Sequence, residues 1–408
     1  SEEAPVFITG IGASAGGLEA LEEFFRHTPT DAGTGFVVVT HMDPKHKSLL
    51  PEILQRYTEM PVSQAETGMA VKPNSVYITP PNTYISIRKG TLTLQEPTLM
   101  RGIRMPIDFF FRHLAADRDS RAIGIILSGM GHDGVLGLRA LRERMGTVMA
   151  QDPASAQFPS MPQSAITYGI VDYIAPAGEL PDMLVNYVKS FSSITEEGMD
   201  PKTFGGALSR IFTLIRAQTG ESLSMFKGDL LEKHIERRMS LHNIEKLDDY
   251  LEYIERHTTE IEALGKEIPL GPTRFFRNPE AWDTFRDKAL SDIIKSKNEG
   301  SVLRVWVSGC ASGEEAYSMA IILQEAIETH RKDGSLNYQV FATDIDKDAI
   351  NRARDGKYIA NIESDVSPDR LERFFTKEDN TYTVRPEIRE RMVFAHHNIF
   401  THPPFTHL

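Results

Sequence analysis

The stretch Ile8-Thr9-Gly10-Ile11-Gly12-Ala13-Ser14-Ala15-Gly16-Gly17-Leu18-Glu19-Ala20-Leu21 decides how this chain is read. The apolar run Val6-Phe7-Ile8 that leads into it is long enough for a buried strand. Leu18, Leu21, Phe24 and Phe25 then follow at helical spacing. Gly10, Gly12, Gly16 and Gly17 are expected to punctuate a tight turn. A strand, a glycine turn and a helix start present Ser14 at the tip. Backbone N–H groups there favour a developing negative charge, either a phosphate or an oxyanion.

Three readings of the turn compete. Gly10-x-Gly12-x-x-Ala15 fits a dinucleotide fingerprint, which calls for an Asp or Glu at the end of the next strand. That strand, Phe36-Val37-Val38-Val39-Thr40-His41-Met42, delivers His41 instead. Gly12-Ala13-Ser14-Ala15-Gly16 also fits the nucleophile elbow of α/β-hydrolases, but that fold places several strands before its serine. The third reading takes Ser14 as nucleophile and His41 as base, with Asp133 as acid. Asp133 comes from the segment Ser128-Gly129-Met130-Gly131-His132-Asp133-Gly134, which follows the strand Arg121–Leu127. In an open parallel sheet the C-terminal strand ends meet in one crevice. A serine hydroxyl needs a base to take its proton, histidine titrates near neutrality, and a carboxylate fixes the imidazole tautomer. Taken singly, each residue has a plainer explanation: a helix cap, a polar core histidine, a turn aspartate. Their joint placement at three strand ends favours the triad.

These residues resemble a known family. Gly-Ala-Ser-Ala-Gly-Gly, Val-Thr-His-Met and Leu-Ser-Gly-Met-Gly-His-Asp-Gly, in that order, are similar to the catalytic domain of the chemotaxis protein-glutamate methylesterase, CheB. Gln151-Asp152-Pro153-Ala154-Ser155-Ala156 and Met161-Pro162-Gln163-Ser164-Ala165-Ile166 continue the match. The resemblance covers about residues 5–190. It implies Ser14 as nucleophile, His41 as general base and Asp133 as its orienter, with the backbone at Ala15 and Met130 helping to build the oxyanion site. Many family members carry Thr where Ala15 stands, so side-chain help from that position is absent. No cofactor is expected for this chemistry.

The chain has 408 residues, which suggests two to three domains, and a net charge of −12, which argues against nucleic-acid binding as its main role. The one cysteine, Cys310, excludes internal disulfides and fits a reducing, cytoplasmic setting. No Cys/His cluster has zinc spacing, and no apolar run approaches the roughly 18 residues of a membrane helix. The absence of a starting Met reads as a trimmed or excised sequence. Nothing resembling a receiver domain precedes Ser14, so that mode of control is not expected.

Further along, Ser48 to Tyr57 reads as a helix capped by Ser48, and Thr83 to Leu94 as a hairpin about Lys89-Gly90. Pro106 to Asp117 reads as a helix with an inner face of Ile107, Phe110, Phe111 and Leu114. Strands alternating with helices imply a doubly wound, mostly parallel sheet. The polar stretch Ser192 to Lys202 is expected to be a linker. Residues 203 to 265 carry only helical patterns. Lys227, Lys233, His234, Arg237 and Arg238 give this small bundle a basic face, read either as a solvated surface or as a docking surface for an acidic partner.

A second strand–glycine turn–helix follows, from Val302-Leu303-Arg304-Val305-Trp306-Val307 into Ser308-Gly309-Cys310-Ala311-Ser312-Gly313-Glu314-Glu315. The next strand ends in Thr343-Asp344-Ile345-Asp346, where a carboxylate can accept hydrogen bonds from ribose hydroxyls. The residues alone suggest a nucleoside-containing cofactor, or a plain α/β turn. Phe275-Phe276-Arg277, Gly-Cys-x-x-Gly-Glu-Glu, Thr-Asp-Ile-Asp and His397-Asn398-Ile399-Phe400-x-x-Pro403-Pro404-Phe405 resemble the chemotaxis receptor methyltransferase family, CheR. Its members use S-adenosylmethionine to methylate receptor glutamates. The resemblance implies Thr273, Arg277, Glu315, Asp344, Asn398 and Ile399 around that cofactor or its product S-adenosylhomocysteine. Gly271, Ala316 and His402 stand where the family usually has Asn, Pro and Asp. Only three strands of the methyltransferase sheet are encoded, so the first is expected at an exposed edge. Either the chain is cut from a longer one or the domain is a degenerate scaffold, and methyl transfer by these residues alone is not expected.

The fold expected is thus α/β. Residues 1–191 form a doubly wound esterase domain, 192–202 a linker, 203–267 a helical domain, and 268–408 an incomplete Rossmann-like methyltransferase domain. The function expected is hydrolysis of glutamyl methyl esters, and deamidation of glutamines, on the cytoplasmic helices of chemoreceptors. A signalling scaffold without turnover, carrying a cofactor-sensing or docking module, is the alternative.

Overall fold

The computed structural model describes residues 7–41, 49–96, 105–197, 201–219, 228–267, 273–331, 336–359, 362–363, 365–378 and 381–399. Ser48, Lys227, Gly271 and His402 lie outside these residues. The chain divides into two compact units, Ser1–Ile268 and Pro269–Leu408.

The first unit is built on strand β1 (Phe7–Ala13), whose residues are all buried. It is followed by α1 (Gly17–His27), β2 (Thr34–Thr40), α2 (Leu50–Leu54), β3 (Val62–Gln64) and β4 (Val76–Ile78). A separate antiparallel hairpin, β5 (Tyr84–Arg88) and β6 (Thr91–Gln95), matches the alternation read there. Next come α3 (Pro106–Arg118), β7 (Ala122–Ile126), α4 (Val135–Glu143), β8 (Thr147–Gln151), α5 (Ser160–Thr167), β9 (Tyr173–Ala175) and α6 (Leu180–Glu197). Seven strands form one sheet in the order β3-β4-β2-β1-β7-β8-β9. Every described pairing in it is parallel. The chain winds outward from β1 in both directions, so the switch point of the sheet lies at β1, between β2 and β7.

Gly10 and Gly12 are not turn residues, as the sequence pattern suggested, but lie inside β1. A Cβ at Gly10 would sit 2.7 Å from Phe111, and one at Gly12 would sit 2.5 Å from Ile107. Their missing side chains let α3 press directly onto β1. This close approach brings the N-terminus of α3 to the C-terminal end of the sheet.

The polar residues at 192–197 do not form a linker. They extend α6 to Glu197, with Ser192 and Thr195 hydroxyls donating to the carbonyls of Val188 and Phe191 and with Ile194 buried. Four helices follow in the same compact unit: α7 (Pro201–Thr219), α8 (Gly228–Leu241), α9 (Leu247–Arg256) and α10 (Thr258–Glu267). Their core gathers Ile211, Ile215, Ile235, Met239, Tyr250 and Leu264. The basic face is only partly solvated: Lys233 is exposed, whereas His234 and Arg237 are buried.

The second unit begins with a helical run containing α11 (Pro279–Thr284) and α12 (Ser291–Ser296). It continues through β10 (Val302–Ser308), α13 (Glu314–His330), β11 (Asn337–Asp344), α14 (Lys347–Asp355), β12 (Lys357–Ile359), α15 (Pro368–Phe374), β13 (Phe375–Glu378), β14 (Thr381–Val384), α16 (Pro386–Arg389) and β15 (Met392–His396). β10-β11-β15 form a parallel three-stranded sheet, and β12-β14-β13 an antiparallel one. As expected, β10 lies at an edge, and Val302 on it is 51% exposed. Among the described residues no helix is long and apolar enough to cross a membrane, and no group of three His, Cys, Asp or Glu side chains is placed to hold a metal.

Candidate active site

Ser14 follows the last residue of β1, His41 the last residue of β2, and Asp133 comes from the loop after β7. These are the three adjacent strands at the switch point, so the topology alone brings the three side chains together. Ser14 Oγ lies 3.2 Å from His41 Nδ1, and His41 Nε2 lies 2.9 Å from Asp133 Oδ2. With Asp133 ionised, the ring proton sits on Nε2 and is donated to the carboxylate. That leaves Nδ1 unprotonated, to accept from the Ser14 hydroxyl. The imidazole is partly open to solvent, with a side-chain exposure of 34%, and the carboxylate beneath it is nearly closed off at 5%.

Asp133 is held by more than the histidine. Its Oδ2 accepts from Ile107 N at 3.0 Å and its Oδ1 from Asp108 N at 2.9 Å. Both amides belong to the first turn of α3, where helix N–H groups lack partners of their own. The Asp133 carboxylate thus caps the N-terminus of α3. Asp108 in turn accepts from Gly137 N, tying α3 to α4.

The serine loop is fixed to the loop after β7. Ser14 N donates to Ser128 O, and Ser128 Oγ donates to Ala15 O. Ser128 N donates to Gln151 Oε1 on β8. Gly129 fits because it has no side chain: a Cβ there would lie 2.1 Å from Met161 Sδ and 3.0 Å from Ser14 Cβ. Among the described residues, the amides of Ala15 and Met130 donate to no protein acceptor, whereas those of their neighbours Ser14, Gly129 and Gly131 do. The Met130 side chain is 61% exposed. Two N–H groups beside a serine whose proton has an acceptor suit stabilisation of an oxyanion.

Sequence reading named Ser14, His41 and Asp133, which the structure brings together, and the Ala15 and Met130 backbone beside them. It missed Ser128, Gln151 and the first turn of α3. Pro106 at the first helical position was a usable signal, since it marks where free N–H groups would need an acceptor.

In the second unit the strand ends again converge. Asp344 ends β11, Asn398 and Ile399 follow β15, and the loop after β10 carries Gly309 with a positive φ of 71°. Asp344 Oδ2 accepts from Ala311 N at 2.7 Å and Oδ1 from Asp346 N at 2.9 Å, which fixes the carboxylate and leaves lone pairs for hydroxyl donors. Asn398 is buried and Ile399 exposed. Thr273 donates to Glu314, which also accepts from Ser312. Of the carboxylates opening α13, Glu314 is therefore turned inward, while Glu315 is exposed, as is Arg277. A fixed carboxylate at the second strand end and an open glycine loop at the first fit the ribose and the backbone approach of a nucleoside cofactor.

Comparison with known proteins finds a family match for each part of the chain. Residues 9–184 match the model of the CheB methylesterase, 206–268 that of the CheR methyltransferase all-alpha domain, and 272–408 that of the CheR SAM-binding domain. A Leptospira interrogans protein provisionally named a protein-glutamate methylesterase/protein-glutamine glutaminase is 30% identical over 176 residues, which are 43% of this chain and 91% of that protein. The chain belongs to the CheB methylesterase family. It carries the CheR all-alpha and SAM-binding domains behind the methylesterase domain. An uncharacterised 104.1 kDa protein of Rhodobacter capsulatus is 33% identical over 381 residues, covering 88% of this chain and 40% of that protein. The crystal structure of the Thermotoga maritima CheB methylesterase catalytic domain is 32% identical, covers 45% of this chain and 98% of that domain, and superposes with a TM-score of 0.42. The chain spans about half or less of the length of most of the curated relatives it matches.

Proposed function

We propose that the N-terminal unit hydrolyses γ-methyl esters of glutamate on chemoreceptors. Ser14 Oγ attacks the ester carbonyl carbon while its proton passes to His41 Nδ1. The imidazolium is stabilised by Asp133 through Nε2–H, and the tetrahedral oxyanion accepts from the Ala15 and Met130 amides. Collapse breaks the bond to methoxide, which takes the proton from His41 and leaves as methanol. Water, deprotonated by His41, then attacks the acyl-serine, frees the glutamate carboxylate and returns the proton to Ser14. A glutamine side chain enters the same sequence with ammonia as the leaving group. The observation that carries this reading is the continuous hydrogen-bond chain from Ser14 to the α3 N-terminus, beside two amides that donate to no acceptor among the described residues.

The C-terminal unit is assigned S-adenosylmethionine or S-adenosylhomocysteine, with Asp344 on the ribose and Asn398, Ile399, Thr273, Arg277 and Glu315 about the remainder. When bound, S-adenosylmethionine would supply a methyl group for the opposing reaction. Carrying both functions on one chain would raise their local concentration at a shared receptor in the cytoplasm. Methanol release from a methylated receptor fragment tests the esterase reading. Release by the parent chain and its loss in Ser14→Ala support it, and absence of release from the parent refutes it.

A further inference from the structure

The basic residues of α8 have partners, and these lie in the same compact unit. Arg237, fully buried, donates through Nη2 to Asp172 Oδ2 at 2.6 Å and through Nη1 to Glu267 Oε1 at 2.7 Å. Arg142 completes the figure: its Nη1 lies 3.0 Å from Asp172 Oδ1 and its Nη2 3.4 Å from Glu267 Oε2. Two guanidinium groups and two carboxylates alternate in a ring, and Arg238 and His234 approach Glu267 from its side at 3.5 and 3.4 Å. Arg142 and Asp172 come from the esterase domain, at the end of α4 and just before β9. Arg237 and Glu267 come from the helical domain, on α8 and α10. Tyr173 Oη adds a bond to Leu241 O at 2.7 Å, and the Leu241 side chain packs in the esterase core. In return, Ile194 of α6 packs in the helical core.

We propose that the basic face of α8 is a docking surface whose acidic partner is the esterase domain of the same chain, and that this ionic ring fixes the all-alpha module to the esterase as a permanent part of it. The inference does not depend on what the esterase hydrolyses. A buried ring of this kind adds little net stability over apolar packing, but it penalises every arrangement in which one member lacks its partner. It therefore selects one docked geometry. Each guanidinium bridges two carboxylates through separate nitrogens, a span that a single ammonium, being a point charge, reproduces less well. Asp172 lies at the N-terminal end of β9 and Ser14 beyond the C-terminal end of β1. The module thus grips the end of the sheet opposite the serine and leaves the crevice uncovered.

Hydrogen exchange on the full chain tests the assignment. In the parent, amides of α7–α10 and of β1, β2 and β7 should exchange with similar protection, as one cooperative block. In Arg237→Met, exchange of α7–α10 should accelerate by roughly 10- to 100-fold while the sheet amides hold, since Asp172 and Glu267 each lose their shortest ion pair and keep only the longer contacts to Arg142 and, for Glu267, to His234 and Arg238. Asp172→Asn combined with Arg237→Met should cost less than the sum of the two single losses, because both remove the Arg237–Asp172 pair. If Arg237→Met melts the sheet, Arg237→Lys serves in its place, with a smaller acceleration confined to the helices. Unchanged helix exchange, equal acceleration of both blocks, or fully additive losses in the double variant would overturn the proposal.

Discussion

Replacing Asp133 with Asn separates the electrostatic part of this site from its shape. The carboxylate accepts three hydrogen bonds: Oδ1 from Asp108 N, and Oδ2 from Ile107 N and His41 Nε2. An amide of the same size has one acceptor atom. With its oxygen toward Asp108, its NH2 meets two donors, Ile107 N–H and His41 Nε2–H. Turned over, it faces the Asp108 amide with a second donor. Either way a buried helix amide loses its acceptor, at about 1–3 kcal/mol. In the first placement the histidine also loses the partner that keeps its proton on Nε2, and the side-chain NH2 then favours the tautomer with the proton on Nδ1, facing Ser14. A tautomer error of this kind in a serine triad lowers turnover by roughly 10⁴-fold. Ester turnover and urea unfolding should both be measured on the purified variant. The expected result is a loss of about three to four orders of magnitude in kcat, with a stability loss of about 1–3 kcal/mol. A folded variant retaining more than a tenth of parental turnover would refute the assigned role of Asp133.

The arrangement of the ring predicts that nitrogen-detected NMR of labelled protein will place the shared His41 proton on Nε2. A proton on Nδ1 in the free protein would contradict the geometry. Gly129→Ala should lower turnover at least about tenfold and cost about 1–3 kcal/mol, because the added carbon meets Met161 and Ser14; parental kinetics would show that the loop yields freely. Burial alone would raise the Glu267 carboxyl, but Arg142, His234 and Arg238 outweigh it and hold it below its ordinary value of 4.5. Its contribution should therefore be complete above that pH and fade as the pH falls through the lower folded value. Burial pushes its ring partner Asp172 the other way, up to about 6, so the Glu267 part is read by difference: the fall in urea midpoint below pH 5 should be shallower in Glu267→Gln than in the parent, and identical acid limbs would contradict the reasoning. Calorimetric titration with S-adenosylhomocysteine should give heat with the parent chain and about tenfold weaker binding with Asp344→Ala. No heat at high concentration would remove the cofactor assignment.

The esterase sheet was legible because a parallel α/β fold writes its strands as short apolar runs and sends their C-terminal ends to one place. Ser14 and His41 each close such a run and Asp133 lies in the loop that follows one, so their convergence could be inferred without coordinates. Gly10 and Gly12 were misread because a glycine needed for a helix to approach a strand looks, in one dimension, the same as a glycine needed for a turn. The supporting contacts of Ser128, Gln151 and the α3 amides depend on distant segments meeting, which no local pattern records. The stretch at 192–197 reads as a linker by polarity, yet Ser192 and Thr195 bond back to their own helix and Ile194 finds a core. The charge cluster on α8 was visible, but its partner was not. Asp172 and Arg142 are unremarkable acidic and basic residues until β9 and α4 bring them beside Arg237. In the second unit, Glu314 and Glu315 are adjacent in sequence, and only the helix geometry decides which turns inward.

The measurement that bears most directly on the central claim is methanol release from a methylated receptor fragment by this chain and by Ser14→Ala. Turnover by the parent with a loss of several orders of magnitude in the variant is the predicted result. Equal release by both, or none by either, would contradict the claim and leave a scaffold without turnover as the better account.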